Sequence, residues 1–107
     1  MAKVNLKYKL TLEPTITSLH HLLFATKPID SVKHRKTDHL YEGEIRELFV
    51  TDRIYLNLLL GGFNGKWELE VWVMKEEQGD WKKLKEFPIK GDLEKGNQRK
   101  GDYLIAW

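Results

Sequence analysis

The sequence predicts an all-β domain, mainly antiparallel, of the β-sandwich type or a closely related open barrel. Three observations carry that expectation. Apolar and polar residues alternate with period two in several segments. Those segments recur at roughly ten-residue spacing with turn residues between them. No amphipathic stretch is long enough to supply the helices of a βαβ unit, although residues 15–26 leave room for one short helix.

The clearest segment is Val4-Asn5-Leu6-Lys7-Tyr8-Lys9-Leu10-Thr11-Leu12, in which every even position is apolar and every odd one polar. Alternation of that kind puts all the apolar side chains on one face of a strand. Glu13-Pro14 ends it, because proline cannot donate to a ladder. Residues 15–26 carry two readings. Thr15 suits the cap of a short helix with Ile16, Leu19, Leu22 and Leu23 on one face, and the β-branched and aromatic content suits a strand or irregular crossing segment. The strand reading is preferred. Lys27-Pro28-Ile29-Asp30 is a turn, and 31–39 is a polar loop or an exposed edge strand.

Alternation returns in Tyr41 to Ile45 and extends through Leu48-Phe49-Val50. Ile54 to Leu60 and Trp67 to Val73 are two further alternating runs, joined by Gly61-Gly62-Phe63-Asn64-Gly65. Such a pair reads as a hairpin. Its expected register sets Leu60 against Trp67, Leu58 against Leu69, Leu56 against Val71 and Ile54 against Val73, all facing inward. Residues 76–80 form a polar turn into a strand at 81–89, which pairs Val73 with Leu84 and Trp72 with Lys85. Residues 90–102 read as a long loop or hairpin tip, and 103–107 as a final strand. The expected core contains Val4, Leu6, Leu10, Leu56, Leu58, Trp67, Leu69, Val71, Val73 and Ile105.

With 107 residues the chain has the commonest size for one domain, so 1–107 is read as a single unit. Hydrophobic content of 41% and charged content of 32% fit a globular chain rather than a disordered or membrane-embedded one. The uncharged stretch from Ile54 to Phe63 is far shorter than the ~20 apolar residues that span a bilayer. The opening Met-Ala-Lys-Val-Asn-Leu-Lys lacks the apolar run of a signal peptide, so the chain as written reads as cytoplasmic. The absence of cysteine removes disulfides, thiolate catalysis and Cys-based zinc sites together. A net charge of +2, from interspersed lysines, arginines and carboxylates, gives no concentrated field for a polyanion.

Motifs with chemistry are weak. His20 and His21 are adjacent and point to opposite faces of a strand. Asp30, His34, Asp38 and His39 offer ligand types without paired zinc spacing, so neither a metal nor a cofactor is expected. Serine occurs only at Ser18 and Ser31, outside any nucleophile elbow. The pairs Glu42 with Glu44 and Glu68 with Glu70 each share a strand face, as solvated sheet faces do. The Gly61–Gly65 segment precedes a strand rather than the helix that a phosphate loop requires. Basic runs at Lys33–Lys36 and Lys95–Lys100 suggest nucleic acid only faintly, since Glu42, Glu44, Glu47, Glu68 and Glu70 would repel a phosphate backbone.

The aromatic residues stand out more. In the expected register Tyr55 and Trp72 lie opposite each other away from the main core, with Lys85 next in line, Leu59 close by and Trp81 within reach. Clustered exposed apolar groups mark interaction surfaces when nothing else covers them. The layout is similar to immunoglobulin-like and C2-like sandwiches, without a residue signature of either, and a fold alone implies no function. The first expectation is therefore a non-enzymatic interaction module. It docks a protein partner, or copies of itself, through a sheet face or edge strand. The alternative is a small-ligand or carbohydrate-binding module stacking on Tyr55, Trp72 and Trp81.

Overall fold

The alternation at the N-terminus builds β1 (Ala2–Leu12), the middle strand of the first sheet. The structure is a computed structural model describing residues 2–51, 53–62, 65–75, 79–84, 89–93 and 98–106; for 2, 17–18, 89–93 and 98–106 only the backbone is described. β1 pairs antiparallel with β5 (Leu40–Val50) on one side and β7 (Gly65–Lys75) on the other. β4 (Arg35–Thr37) borders β5, while β8 (Lys82–Lys83) and β9 (Ile89–Leu93) line the far edge of β7. In the second sheet β6 (Arg53–Gly62) lies between β10 (Gln98–Ala106) and β2 (Ile16–Phe24), and the short β3 (Lys27–Pro28) pairs with the end of β2. All pairings are antiparallel. Residues 16–24 are strand, and no helix occurs among the described residues, so the helical alternative for 15–26 is set aside.

Both sheets contribute their apolar faces to one core. Val4, Leu6, Tyr8, Leu10 and Leu12 of β1 are buried, as are Trp67, Leu69, Val71 and Val73 of β7. From the second sheet come Ile16, Leu22 and Phe24 of β2, and Ile54, Leu56, Leu58 and Leu60 of β6. The rings of Tyr8 and Phe24 meet across the two sheets with centroids 5.5 Å apart. Nine of the ten expected core residues are buried, and the side chain of the tenth, Ile105, lies outside the described residues. In β5 the inward phase changes from Tyr41 and Ile45 to Leu48 and Val50. A bulge makes the change: Glu47 takes φ 57°, its amide donates to Asn5 Oδ1 at 3.0 Å, and the register slips between Val4 and Leu6. One extra residue restores burial of both halves of the strand.

The expected hairpin between residues 54–60 and 67–73 does not form. β6 pairs with β10 and β2, whereas β7 pairs with β1, β8 and β9, so the two runs belong to different sheets. Their eight inward residues are buried as expected, but across one core and not side by side. The glycines serve a corner between sheets. Gly62 has φ 149°, a conformation that side chains disfavour, and a Cβ on Gly65 would fall 2.6 Å from Thr15 Oγ1 and 2.8 Å from Ile16 Cγ1. Lys66 is then tied to the end of β1, its amide donating to Glu13 Oε1 at 2.6 Å and its carbonyl accepting from Glu13 N at 3.0 Å.

Two other expectations change. β8 pairs Trp72 with Lys83 and Val73 with Lys82, two residues away from the expected register. A shift of two keeps the faces, so Leu84 is still buried and donates its amide to Val71 O at 3.0 Å. Residues 90–102 are not one loop, for they contribute most of β9 and the start of β10.

The segment between β3 and β4 folds over the first sheet as a strap. Asp30 Oδ1 accepts from Val32 N at 3.2 Å and Lys33 N at 3.0 Å, which holds its carboxyl below the usual range. His34 N donates to Asp30 O, and His34 O accepts from Glu42 N, both at 2.9 Å. The ring of His34 then lies on Gly43, and its Nδ1 is hydrogen-bonded to the Tyr8 hydroxyl at 3.0 Å. Burial, then the nearby Tyr41 and Asp30, push the Tyr8 hydroxyl above the ordinary tyrosine range. The sign of the linkage follows. The unfolded chain ionises this phenol near pH ~10 and the folded chain only at higher pH, so its contribution is intact below pH ~10 and lost progressively as pH rises from there toward the folded-state value. In denaturant titrations from neutral pH to about pH 11, wild-type stability should fall more steeply than that of Tyr8→Phe. Parallel slopes would show that Tyr8 is not the group responsible.

Candidate functional site on the outer face of the first sheet

The odd residues of β1 and the even residues of β7 make the outer face of the first sheet. Register places Lys7 beside Trp72 and Glu44, Lys9 beside Glu70 and Glu42, and Thr11 beside Glu68. Opposed residues in an antiparallel ladder share a face, so these side chains are neighbours in space. β8 then brings Lys83 opposite Trp72 and leaves Trp81 just before the strand.

Lys7 sits between two indoles. Its Nζ is 5.1 Å from the Trp72 ring centroid and 4.9 Å from that of Trp81. Lys83 Nζ lies 5.6 Å from the Trp72 centroid and 2.7 Å from Glu70 Oε2. Each cation over a ring is attracted by the ring quadrupole, contributing about 0.5–1 kcal/mol at an exposed site. The two half-buried tryptophans are therefore fixed in place by lysines of the chain itself. Beside them is an open hollow of ≈ 470 Å³ between Lys7, Lys9, Lys36, Glu42, Glu44 and Trp72. The carboxylates alternate with the cations and Glu44 also pairs with Arg46 at 2.6 Å, so charge on this face is mixed.

Of the residues singled out in the sequence, Trp72 and Trp81 come together here. Tyr55 and Leu59 do not join them. Both lie on β6 in the other sheet, where Tyr55 is 42% exposed and pairs with Leu104, and Leu59 is half-buried beside His21. The opposed Tyr55–Trp72 pair therefore does not exist. It depended on the β6–β7 hairpin and falls with it. Lys85 lies outside the described residues, and Lys83 occupies the place expected for it. Lys7 was missed because its value depends on β1 lying next to β7, a neighbour relation that alternation does not encode.

Two further polar groupings lie elsewhere in the molecule. On the outer face of the second sheet His21 Nε2 is hydrogen-bonded to Asn57 Oδ1, and Asn57 is buried there. Among the described residues no three histidines, aspartates or glutamates converge as a metal site would require. His34 is engaged with Tyr8, while His39 lies in the turn before β5. No helix among them is long and apolar enough to cross a membrane. No protein-family model, curated protein or solved structure matches the chain.

Proposed function

We propose that this chain is a non-enzymatic binding module, an open two-layer sandwich that docks a protein partner on the outer face of its first sheet. The placement of Lys7 between Trp72 and Trp81 carries this reading. Large side chains already held in one conformation lose little entropy on association, and tryptophan is the residue type most enriched among interface anchors. The surrounding mixture of Lys9, Lys36, Lys83, Glu42, Glu44 and Glu70 suits the polar rim of a protein interface. The same carboxylates disfavour a nucleic-acid backbone. A sugar would need a free indole face, and the lysine ammonium groups compete for those faces. β10, nine residues long and at the edge of the second sheet, offers a secondary docking edge. The absence of cysteine throughout the chain fits a reducing, cytoplasmic setting.

Trp81→Ala and Trp72→Ala test the proposal together. Trp81 lies outside the ladders, so its loss should leave stability within about 1 kcal/mol of wild type. Trp72 interacts with two cations in a central region of the sheet, and its loss should cost about 1–2 kcal/mol. Both should sharply reduce capture of the partners retained by the wild-type chain, read by quantitative affinity capture beside sedimentation velocity. Equal capture by folded mutants would remove this face from the function.

A further inference from the structure

An edge strand presents a row of backbone N–H and C=O groups to which another strand can add. Along most of its edges this protein interrupts that row. β4, β8 and β9 border the first sheet with three, two and five residues, and β3 borders the second with two. β5 and β2 run on past their short neighbours, but both are bulged. β5 bends at Glu47, and β2 slips against β6 between Ile16 and Ser18 and again between Leu19 and His21. A bulge twists an edge away from an incoming strand.

β10 has neither device. It is nine residues long, and it pairs with β6 from Gln98 opposite Gly61 to Ala106 opposite Arg53 without a register shift. Among the described residues β6 is its sole ladder partner, so the other side of β10 is a long, regular backbone edge. Positions 100 and 102 oppose Leu59 and Asn57, which places both on the outer face of the sheet.

We propose that β10 pairs with β10 of a second copy of this chain, antiparallel about a two-fold axis at Gly101, to make one continuous sheet across the dimer. This names the occupant of the secondary docking edge and rests on that part of the proposed function, not on the tryptophan face. A two-fold axis normal to a sheet keeps every residue on its own face only when one residue opposes its own copy. An axis at Arg99, Lys100 or Asp102 would oppose like charges, which destabilises the pairing. An axis at Tyr103 would set Asp102 against Leu104 and Lys100 against Ala106. At Gly101 the axis sets Lys100 opposite Asp102 twice, and residues 98–104 of one copy run against 104–98 of the other. The two strands then exchange about six to eight backbone hydrogen bonds.

Sedimentation equilibrium of the full chain is the test, with thermal unfolding of every variant beside it. One strand pair is a small interface, so the wild-type chain should dimerise reversibly with a dissociation constant of about 1 µM to 1 mM. Lys100→Asp and Asp102→Lys each turn two unlike pairs into like ones and should weaken the dimer about tenfold or more. The double variant Lys100→Asp/Asp102→Lys restores unlike charges in this register and should recover wild-type affinity to within about threefold. Trp81→Ala should dimerise as wild type does. Amide hydrogen exchange of the wild-type chain needs no substitution: alternate amides between 98 and 104 should slow as concentration rises. A chain that stays monomeric at about 1 mM overturns the proposal. So does a folded double variant that fails to recover, or a dimer whose β10 amides exchange unchanged. Dimerisation lost in Trp81→Ala but kept in Lys100→Asp would assign self-association to the first sheet instead.

Discussion

Leu69→Ala should destabilise the protein by about 2–5 kcal/mol, and Leu58→Ala by a similar amount. Neither side chain has any exposed surface, and each lies within the core from a central position of its strand. Leu69 has Leu10 and Ile89 as ladder partners, and Leu58 has Leu22 and Gly101. Truncation removes transfer energy and leaves a cavity that strands paired on both sides cannot close. A domain of this size is stable by only about 5–15 kcal/mol, so either mutant stands close to unfolding at physiological temperature. Leu59→Ala supplies the contrast. It is the next residue in the chain, half-buried on the opposite face, and should cost about 1 kcal/mol. Chemical denaturation midpoints decide the matter. Similar losses for Leu58 and Leu59 would mean that the face assignment of β6 is wrong.

That face assignment was legible in the sequence, and the reason it was legible also explains what was not. Period two records which side of a strand is buried. The inward sets of β1, β6 and β7 could therefore be read residue by residue. Period two says nothing about which strand lies alongside. Eight inward apolar residues on β6 and β7 are buried equally well as ladder neighbours or as opposite walls of one core. A Gly/Asn-rich link favours a hairpin, yet Gly62 and Gly65 are used for a corner packed against Thr15 and Ile16. The candidate site inherited the error. Alternation marks Trp72 as an outward aromatic, but its neighbours Lys7 and Lys83 follow from strand order. Tyr55, assigned to it by the hairpin, lies on the other sheet. The bulge at Glu47 hid a different feature. It breaks alternation in β5, and only the side-chain oxygen of Asn5 on the neighbouring strand shows why the break is tolerated.

Gly43→Ala should destabilise the protein although alanine suits a strand better than glycine. Among the described residues the glycines with positive φ are Gly62 and Gly79, so the backbone at Gly43 would accept a side chain and even benefit from lower unfolded-state entropy. Packing forbids it. The added Cβ would lie 2.4 Å from His34 Cγ and Nδ1 and 2.5 Å from Cδ2. The ring cannot simply recede, because the His34 backbone is held by Asp30 O and by Glu42 N. It must rotate away, and the Tyr8 hydroxyl, on a residue 1% exposed, loses its partner. Overpacking costs about 1–3 kcal/mol and a stranded buried hydroxyl a further ~1–3 kcal/mol. His34→Ala alone incurs only the second cost, since no ring remains to clash. The double mutant should then be about as stable as His34→Ala, giving a coupling as large as the whole cost of Gly43→Ala, ~2–6 kcal/mol, between two positions nine apart in sequence. If the two losses simply add, the His34 ring does not rest on Gly43. The strap would then be fastened by its backbone hydrogen bonds alone.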